Sequence, residues 1–296
     1  MKKNEVSPGL RVLIYIVLVM VAIIQIYPVA WVIMSSFKDP TELAKSSVAF
    51  PTYLYLGNYI RVFTSSNIFR AYINSCIVAV LTLALDVLIS CPFAYALCKL
   101  QWKSGPVIFN IILLGMMLPN FICLIPMFWT LTRLGLRNSY ISLILPQVGF
   151  GLPLSIYMYR SFMDYLPDSL LEAADIDGAT ALQKYIRIVM PMVKNATITI
   201  LTFKFIYVWN EFTYANTFIS KREMKTLPIT LKDFVSEFGL VDWGPTYAAI
   251  VLVILPALII YFFLSKNVIE GMAAYSGKSE RQFRDIGTAF RFKQNE

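Results

Sequence analysis

An all-α fold with six membrane-spanning helices is the fold class that this sequence predicts. The chain is 57% hydrophobic and only 15% charged, whereas a soluble domain has about 25% charged residues. The runs 12–34 and 247–264 contain no Lys, Arg, Asp or Glu, and a span needs about 20 such apolar residues. The short segments of alternating polarity that indicate a transmembrane barrel are absent from the sequence. We therefore expect a polytopic helical membrane protein.

Six apolar segments separated by polar ones define the predicted spans: 12–36, 71–97, 107–130, 139–162, 196–219 and 245–265. The first is too long for the apolar core of a signal peptide, so we interpret it as a span. An even number of spans places both termini on one side. Lys and Arg are more frequent in the segments of that side, which predicts cytoplasmic termini in a cell-membrane protein. The expected organisation is an N-terminal segment 1–11, one membrane domain 12–265 and a C-terminal tail 266–296.

The composition excludes several kinds of chemistry. There is no histidine, which removes Ser-His-Asp and Cys-His nucleophile systems and His-ligated metals. The cysteines have no zinc-site spacing and are expected to be buried small hydrophobic residues; they are Cys76, Cys91, Cys98 and Cys123. The net charge of +8 is not gathered into a basic stripe, so no nucleic-acid partner is expected. We expect no catalytic residue, no metal and no cofactor on this chain.

One segment imitates a nucleotide-binding loop. Five residues separate Gly271 from Gly277, and Lys278 and Ser279 follow. A phosphate-binding loop needs four residues at that place and should follow a strand, whereas this segment follows a membrane helix. We therefore reject it as an ATP site.

The polar insert 163–194 is predicted to form two short helices outside the membrane. Ser169 and Glu172 have the spacing of a capping box at the start of the first helix. Gly178 permits a positive φ and hence a sharp turn. The second helix is expected over 180–189 and should stop near Pro191. A plain connecting loop with two amphipathic turns is the alternative interpretation.

The insert also resembles a family signature. The run Glu172-Ala173-Ala174, three residues, Gly178, nine residues and Ile188-x-Met190-Pro191 is similar to the EAA loop of binding-protein-dependent ABC importer permeases, with Met190 where the family pattern has Leu. Further motifs resemble the carbohydrate-uptake branch of that family, and they are Asn58-Tyr59, Asn74-Ser75, Trp209-Asn210-Glu211-Phe212, Thr226-Leu227-Pro228 and Asp242-Trp243-Gly244.

The resemblance implies a type I importer permease (MetI-like) fold and a role as half of a translocation pore for carbohydrates, with oligosaccharides as the expected cargo. The implied partners are a second homologous permease subunit, a dimeric cytoplasmic ABC ATPase that uses the ATP, and a periplasmic or extracellular solute-binding protein. For the basic tail 279–296 two interpretations stay open: it reaches the ATPase, or it is disordered. The loop residues that would couple to the ATPase are Glu172, Ala173, Ala174, Asp177, Gly178, Ile188 and Pro191.

Three ionisable residues lie well inside the predicted spans: Asp86, Lys204 and Glu211. A charged group at mid-bilayer costs roughly 2.5–3.5 kcal/mol on insertion scales, so each needs a partner or water. Asp86 and Lys204 lie at similar depths from the inner ends of their helices, and we expect them to pair or to share a polar cavity. Glu211, beside Asn210, is expected to line an outer vestibule or to brace the neighbouring outer loop.

Two alternatives to carbohydrate import stay open at this point. A permease for a non-sugar solute, such as a phosphodiester or an amino acid, belongs to the same class, and a cationic lining by Lys204 would favour an anionic solute. A passive channel or a membrane-embedded enzyme belongs to a different class. A channel does not need a docking loop, and an enzyme would need the nucleophile–base pair or metal cluster that the sequence lacks.

Overall fold

The computed structural model describes residues 7–100, 102–235 and 239–263. The regular secondary structure of these residues is almost entirely helical, and the remaining residues are turns and loops. The helices in chain order are α1 (Pro8–Ser36), α2 (Pro40–Lys45), α3 (Gly57–Ser65), α4 (Ile68–Lys99), α5 (Gly105–Gly115), α6 (Leu124–Arg133), α7 (Tyr140–Met163), α8 (Asp168–Ile176), α9 (Ala181–Met192), α10 (Lys194–Trp209), α11 (Thr213–Phe218), α12 (Leu227–Thr230) and α13 (Trp243–Phe263). The motif at 271–279 and the tail 279–296 lie outside the described residues.

Four of the described helices are long and apolar enough to cross a membrane, and they are α1, α4, α7 and α13. Their bounds agree with the predicted spans to within a few residues. A fifth span is obtained if α9 and α10, which are bent by 72° at Val193, are counted as one. The all-α, polytopic fold class is therefore confirmed.

The predicted third span, 107–130, is not one continuous helix. It consists of α5 and α6, which are separated by the turns of residues 116–123. Pro119 lies in this interruption, where its missing N–H and its ring prevent a regular helix. Sequence hydropathy finds the apolar segment but cannot detect the break, because the interrupting residues are themselves mostly apolar.

The predicted fifth span, 196–219, is also interrupted. α10 ends at Trp209 with Asn210 as its C-cap, and α11 begins only at Thr213. The motif Trp209-Asn210-Glu211-Phe212 therefore marks a break between two helices.

The chain divides into two compact units. In the unit formed by Met1–Phe69 and Ile229–Leu255, the Asn58 side chain donates to the carbonyls of Ser36 and Lys38 at 2.9 and 2.7 Å. Arg61 forms an ion pair with Asp242 at 2.5 Å. Asn58 thus joins the start of α3 to the end of α1, and Asp242 joins α3 to the start of α13.

In the unit formed by Arg70–Pro228 and Pro256–Glu296, a buried core holds α4, α7 and α10 together with the inner faces of α8 and α9. The long helices contribute Tyr95 from α4, Tyr159 from α7 and Ile200 from α10 to this core. The short helices contribute Leu171 from α8 and Val189 from α9. Cys91 is buried here as expected, but the expectation is wrong for Cys76, which is exposed.

Candidate functional site

A buried ion pair joins α4 to α10. Lys204 Nζ lies 2.9 Å from Asp86 Oδ1, and the side chains are only 9% and 1% exposed. The predicted pairing of these residues is confirmed. Gly151 on α7 makes room for it, because a Cβ at this position would lie 1.4 Å from Lys204 Nζ.

A cavity of about 420 Å³ adjoins this pair, and we call it the polar cavity. Its walls come from α7, α10, α11 and the interruption between α5 and α6. The lining residues are Met116, Asn120, Gln147, Phe150, Gly151, Leu154, Ser155, Met158, Ile200, Phe203, Lys204, Tyr207 and Tyr214.

Both interrupted spans border the polar cavity. Asn120 lies in the first interruption, and Tyr207 and Tyr214 lie on either side of the second. The Asn120 amide donates to the Tyr207 hydroxyl at 3.3 Å and so connects the two broken segments. Non-helical backbone at membrane depth is stable only where protein or water satisfies its polar groups, so both breaks lie where the neighbouring protein or the cavity can supply those partners.

Two polar groups of the cavity wall have no hydrogen-bond partner in the described structure. They are Gln147 Oε1 and the Tyr214 hydroxyl, and both side chains are 3% exposed. The other end of Gln147 is fixed, because its Nε2 donates to the Leu143 carbonyl at 2.9 Å. Buried polar groups without partners are costly, and both atoms are enclosed by the surrounding protein rather than open to the cavity.

Glu211 stabilises the interruption between α10 and α11. Its carboxylate accepts hydrogen bonds from the backbone N–H groups of Tyr214 at 2.6 Å and Ala215 at 3.1 Å, as an N-terminal cap of α11 does. These contacts brace α11, within the predicted fifth span itself, and the two expected roles of Glu211 at the outer vestibule and the outer loop stay predictions. Asn210 is exposed and donates to the Ile206 carbonyl at 2.8 Å.

Sequence reasoning missed the role of Asn74 and Ser75. Asn74 Nδ2 donates to the carbonyls of Glu223 and Lys225, both at 2.8 Å, and its Oδ1 accepts from the Tyr140 hydroxyl at 2.8 Å. Ser75 Oγ accepts from the Leu227 N–H at 2.9 Å. A buried Asn-Ser pair in an apolar helix was the available signal, but the long sequence separation hid its partner, the segment 223–227.

The polar insert folds into a helical hairpin of α8 and α9, which we call the α8–α9 hairpin. Gly178, with φ of 75°, makes the turn between the two helices. Asp175 and Lys184 join them across the turn at 2.5 Å, and this hydrogen bond raises the pKa of Lys184 above its ordinary value. The helix–turn–helix prediction is confirmed.

The predicted cap and the predicted first residue of the first helix are wrong. α8 begins at Asp168, and the residue before it, Pro167, makes no side-chain cap, so the Ser169–Glu172 capping box does not form. A capping box is instead present in α9, between Thr180 and Gln183. The first helix starts at Asp168, two residues before the Leu170 start that a Ser169 cap would give, because the fixed φ of Pro167 directs the chain into the helix at that point.

α9 continues past its expected end. It contains a wider turn over Tyr185–Val189 and then runs through Pro191 to Met192. Proline removes one backbone donor, and a wide turn of this kind accommodates an irregular hydrogen-bond ladder. Ile188 is half-buried on this helix, and Pro191 is exposed.

The residues of the EAA-like motif differ in their exposure to solvent. Ala174 is buried against the chain, whereas Glu172, Ala173, Asp177 and Gly178 are exposed. Ile176, which the sequence analysis did not single out, is 88% exposed at the tip of the hairpin.

The inner side of the hairpin is fastened to the membrane helices. Lys99 at the end of α4 donates to the Leu166 carbonyl at 3.0 Å and pairs with Asp168 at 2.7 Å. The Tyr95 hydroxyl donates to the Ala181 carbonyl at 3.3 Å. Because α9 passes directly into α10, the hairpin connects through one bend to the helix that carries Lys204.

These features define a class of protein: a polytopic permease with interrupted spans around a cavity and a structured polar hairpin. A family model described as "Binding-protein-dependent transport system inner membrane component" matches residues 87–272. The chain therefore belongs to the family of binding-protein-dependent transport permeases, which are transport components rather than enzymes.

Curated relatives and a solved structure agree with this assignment. The chain is 33% identical over 274 residues to the trehalose/maltose transport system permease protein MalG of Thermococcus litoralis, covering 91% of this chain and 98% of the relative. It is 31% identical over 252 residues to the diacetylchitobiose uptake system permease protein NgcG of Streptomyces coelicolor, covering 85% and 83%. A chain of a bacterial ABC transporter that imports the acidic polysaccharide alginate has the same fold, with a TM-score of 0.78, 22% identity and coverage of 89% of this chain and 99% of the other.

Proposed function

We propose that this chain is one permease subunit of an ATP-driven importer for oligosaccharides, with cytoplasmic termini. A second permease subunit would complete the pore, and a solute-binding protein would deliver the sugar from outside. The cavity bordered by two interrupted spans carries this proposal, because a continuous helix bundle has no need of such a space. The permeases named above as relatives belong to systems for trehalose or maltose and for diacetylchitobiose, which supports a carbohydrate cargo.

The α8–α9 hairpin is the proposed contact with a cytoplasmic ATPase, which would bind and hydrolyse the ATP. Its exposed tip at Ala173 and Ile176 would enter a cleft of the ATPase. Its inner side is fixed to α4 through Lys99 and continues into α10. A displacement of the tip would therefore be transmitted to α10 and to the wall of the polar cavity.

Disulfide trapping tests the hairpin contact with a matched pair of neighbouring residues. Ala173→Cys is expected to crosslink to cysteines introduced along the ATPase cleft, because position 173 is exposed. Ala174→Cys is the control and is expected to crosslink weakly, because position 174 is buried against the chain itself. A stable complex with no crosslink from Ala173→Cys would contradict coupling through this hairpin.

The cargo is tested through the solute-binding protein that we propose as a partner. Calorimetric titration against a panel of neutral and acidic oligosaccharides and phosphodiesters identifies what that protein binds. Uptake of the bound compound by cells is expected to require both this chain and ATP hydrolysis. Binding of phosphodiesters alone would favour the non-sugar alternative, and uptake that persists without a functional ATPase would favour a passive channel.

A further inference from the structure

We propose that the polar cavity takes an uncharged, polyhydroxylated segment of solute, and that Asp86 sets this selectivity by neutralising Lys204. The inference rests on the proposed function and narrows its cargo from sugars in general to sugar units without ionised groups. Asp86 is here a positioning and charge-balancing residue, because α4 contributes no residue to the cavity lining.

The charge of the cavity wall depends on one pair. Among the described lining residues, Lys204 alone carries an ionic side chain. Its Nζ lies 2.9 Å from Asp86 Oδ1, and both side chains are buried. Opposite charges at such a short separation largely cancel for a solute located farther away. The wall therefore offers an anionic solute no unpaired cation, although Lys204 in isolation would have done so.

The remaining polar groups of the wall match hydroxyl groups. Uncharged polar residues of the lining include Asn120, Ser155 and Tyr207. The Tyr207 hydroxyl accepts from the Asn120 amide and still has its own O–H to donate. The rings of Phe150, Phe203 and Tyr207 add apolar faces. Aromatic faces with a few convergent polar groups are typical of small-molecule sites, and here those groups are neutral.

Gly151 shows that the position of the ammonium group is constrained. Any side chain at 151 would collide with Lys204 Nζ at 1.4 Å and with Lys204 Cε at 2.6 Å. The ammonium group therefore occupies space that α7 leaves open on the cavity side, and this location keeps it directed at Asp86. Removal of the Asp86 charge would leave a single unpaired cation at the wall.

The test measures the charge of the cavity directly and does not require the cargo to be known. In the full chain with its four native cysteines replaced by alanine, Leu154→Cys places one reporter thiol on the cavity wall, at a lining position that is 48% exposed. Its reaction rates in membrane vesicles are compared for an anionic reagent, sulfonatoethyl methanethiosulfonate, and a cationic reagent, trimethylammonioethyl methanethiosulfonate. Ile176→Cys, on the exposed hairpin tip, serves as the reference thiol in each background.

Each variant has an expected direction. Asp86→Asn should shift the rate ratio at the cavity thiol toward the anionic reagent by about tenfold, as expected for one unscreened charge nearby. Lys204→Gln should shift it in the opposite direction, and the double variant, in which both charges are absent, should return it to the starting value. The ratio at the reference thiol should stay constant throughout. The Lys204→Gln and double variants keep the test decisive if Asp86→Asn fails to fold.

An unchanged ratio in both folded single variants would overturn the proposal, because the pair would then not control the cavity charge. Failure of both reagents to reach the cavity thiol would also overturn it, since a solute site must admit a smaller reagent. Neither result depends on uptake or on the ATPase. Loss of the proposed function would instead appear in the crosslinking and uptake experiments, so the two failures are distinguishable.

Discussion

Gly151 and Lys204 occupy complementary positions, because the missing side chain of one provides the space for the ammonium group of the other. A Cβ on Gly151 would lie 1.4 Å from Lys204 Nζ and 3.6 Å from Asp86 Oδ1. Three helices, α4, α7 and α10, therefore meet at one ion pair. Breaking a buried pair costs more than the pair itself contributes, since an uncompensated charge is left behind.

Gly151→Ala is expected to destabilise the protein by about 1–3 kcal/mol, because Lys204 must move away from Asp86 to accommodate the new methyl group. Thermal unfolding of the detergent-solubilised protein measures the effect. Gly149→Ala is the matched control on the same helix, since a Cβ there meets nothing within 4 Å. Equal melting temperatures for the two variants would contradict the proposed packing.

Gly244→Ala is expected to disturb the unit that contains α1, α3 and the start of α13. Its Cβ would lie 2.4 Å from Asn58 Oδ1, and Asn58 cannot withdraw without losing its hydrogen bonds to the Ser36 and Lys38 carbonyls. A loss of about 1–3 kcal/mol is expected. In the Asn58→Ala background the same glycine substitution should have little further effect, and a double-mutant cycle by thermal unfolding checks this.

Asn74→Ala is expected to release the segment 223–227, since one side chain supplies three hydrogen bonds there and to Tyr140. A loss of about 2 kcal/mol should raise local opening, and hence cleavage by trypsin near Lys221 and Arg222, by roughly tenfold or more. Asn120→Ala removes a single exposed amide contact and should leave the cleavage rate unchanged. Slow cleavage in both variants would mean that the segment is held by other contacts.

Gly178→Val is expected to weaken coupling, because Gly178 has a φ of 75° and an L-residue in that region costs roughly 1–2 kcal/mol. The altered turn would change the angle between α8 and α9. Asn tolerates the left-handed region, so Gly178→Asn should retain more activity than Gly178→Val. The measured quantity is solute transported per ATP hydrolysed in proteoliposomes that contain the complete transporter, and equal ratios for the two variants would argue against a backbone role for this glycine.

The spans and the hairpin show which parts of the fold the sequence patterns predict and which they do not. Continuous apolar runs predict α1, α4, α7 and α13 closely, since lipid requires long helices with internally satisfied backbones. The breaks within the predicted spans 107–130 and 196–219 were not predicted, because apolar composition does not report where a neighbouring cavity can satisfy free backbone groups. The cap of α8 was predicted wrongly for a related reason: several polar residues have capping potential, and the local entry of the chain decides which one is used.

The sequence by itself determined the all-α membrane class, the absence of His-dependent chemistry and the polar hairpin, and it predicted that Asp86 and Lys204 pair or share a polar cavity. Each follows from composition or from the cost of an isolated charge in lipid. Only the tertiary structure decided that Gly151 makes room for that pair, that Asn74 holds a segment about 150 residues away, and that Ala173 faces outward while Ala174 faces inward. These are contacts between distant segments, and their geometry is fixed by helix packing, which no local sequence pattern encodes.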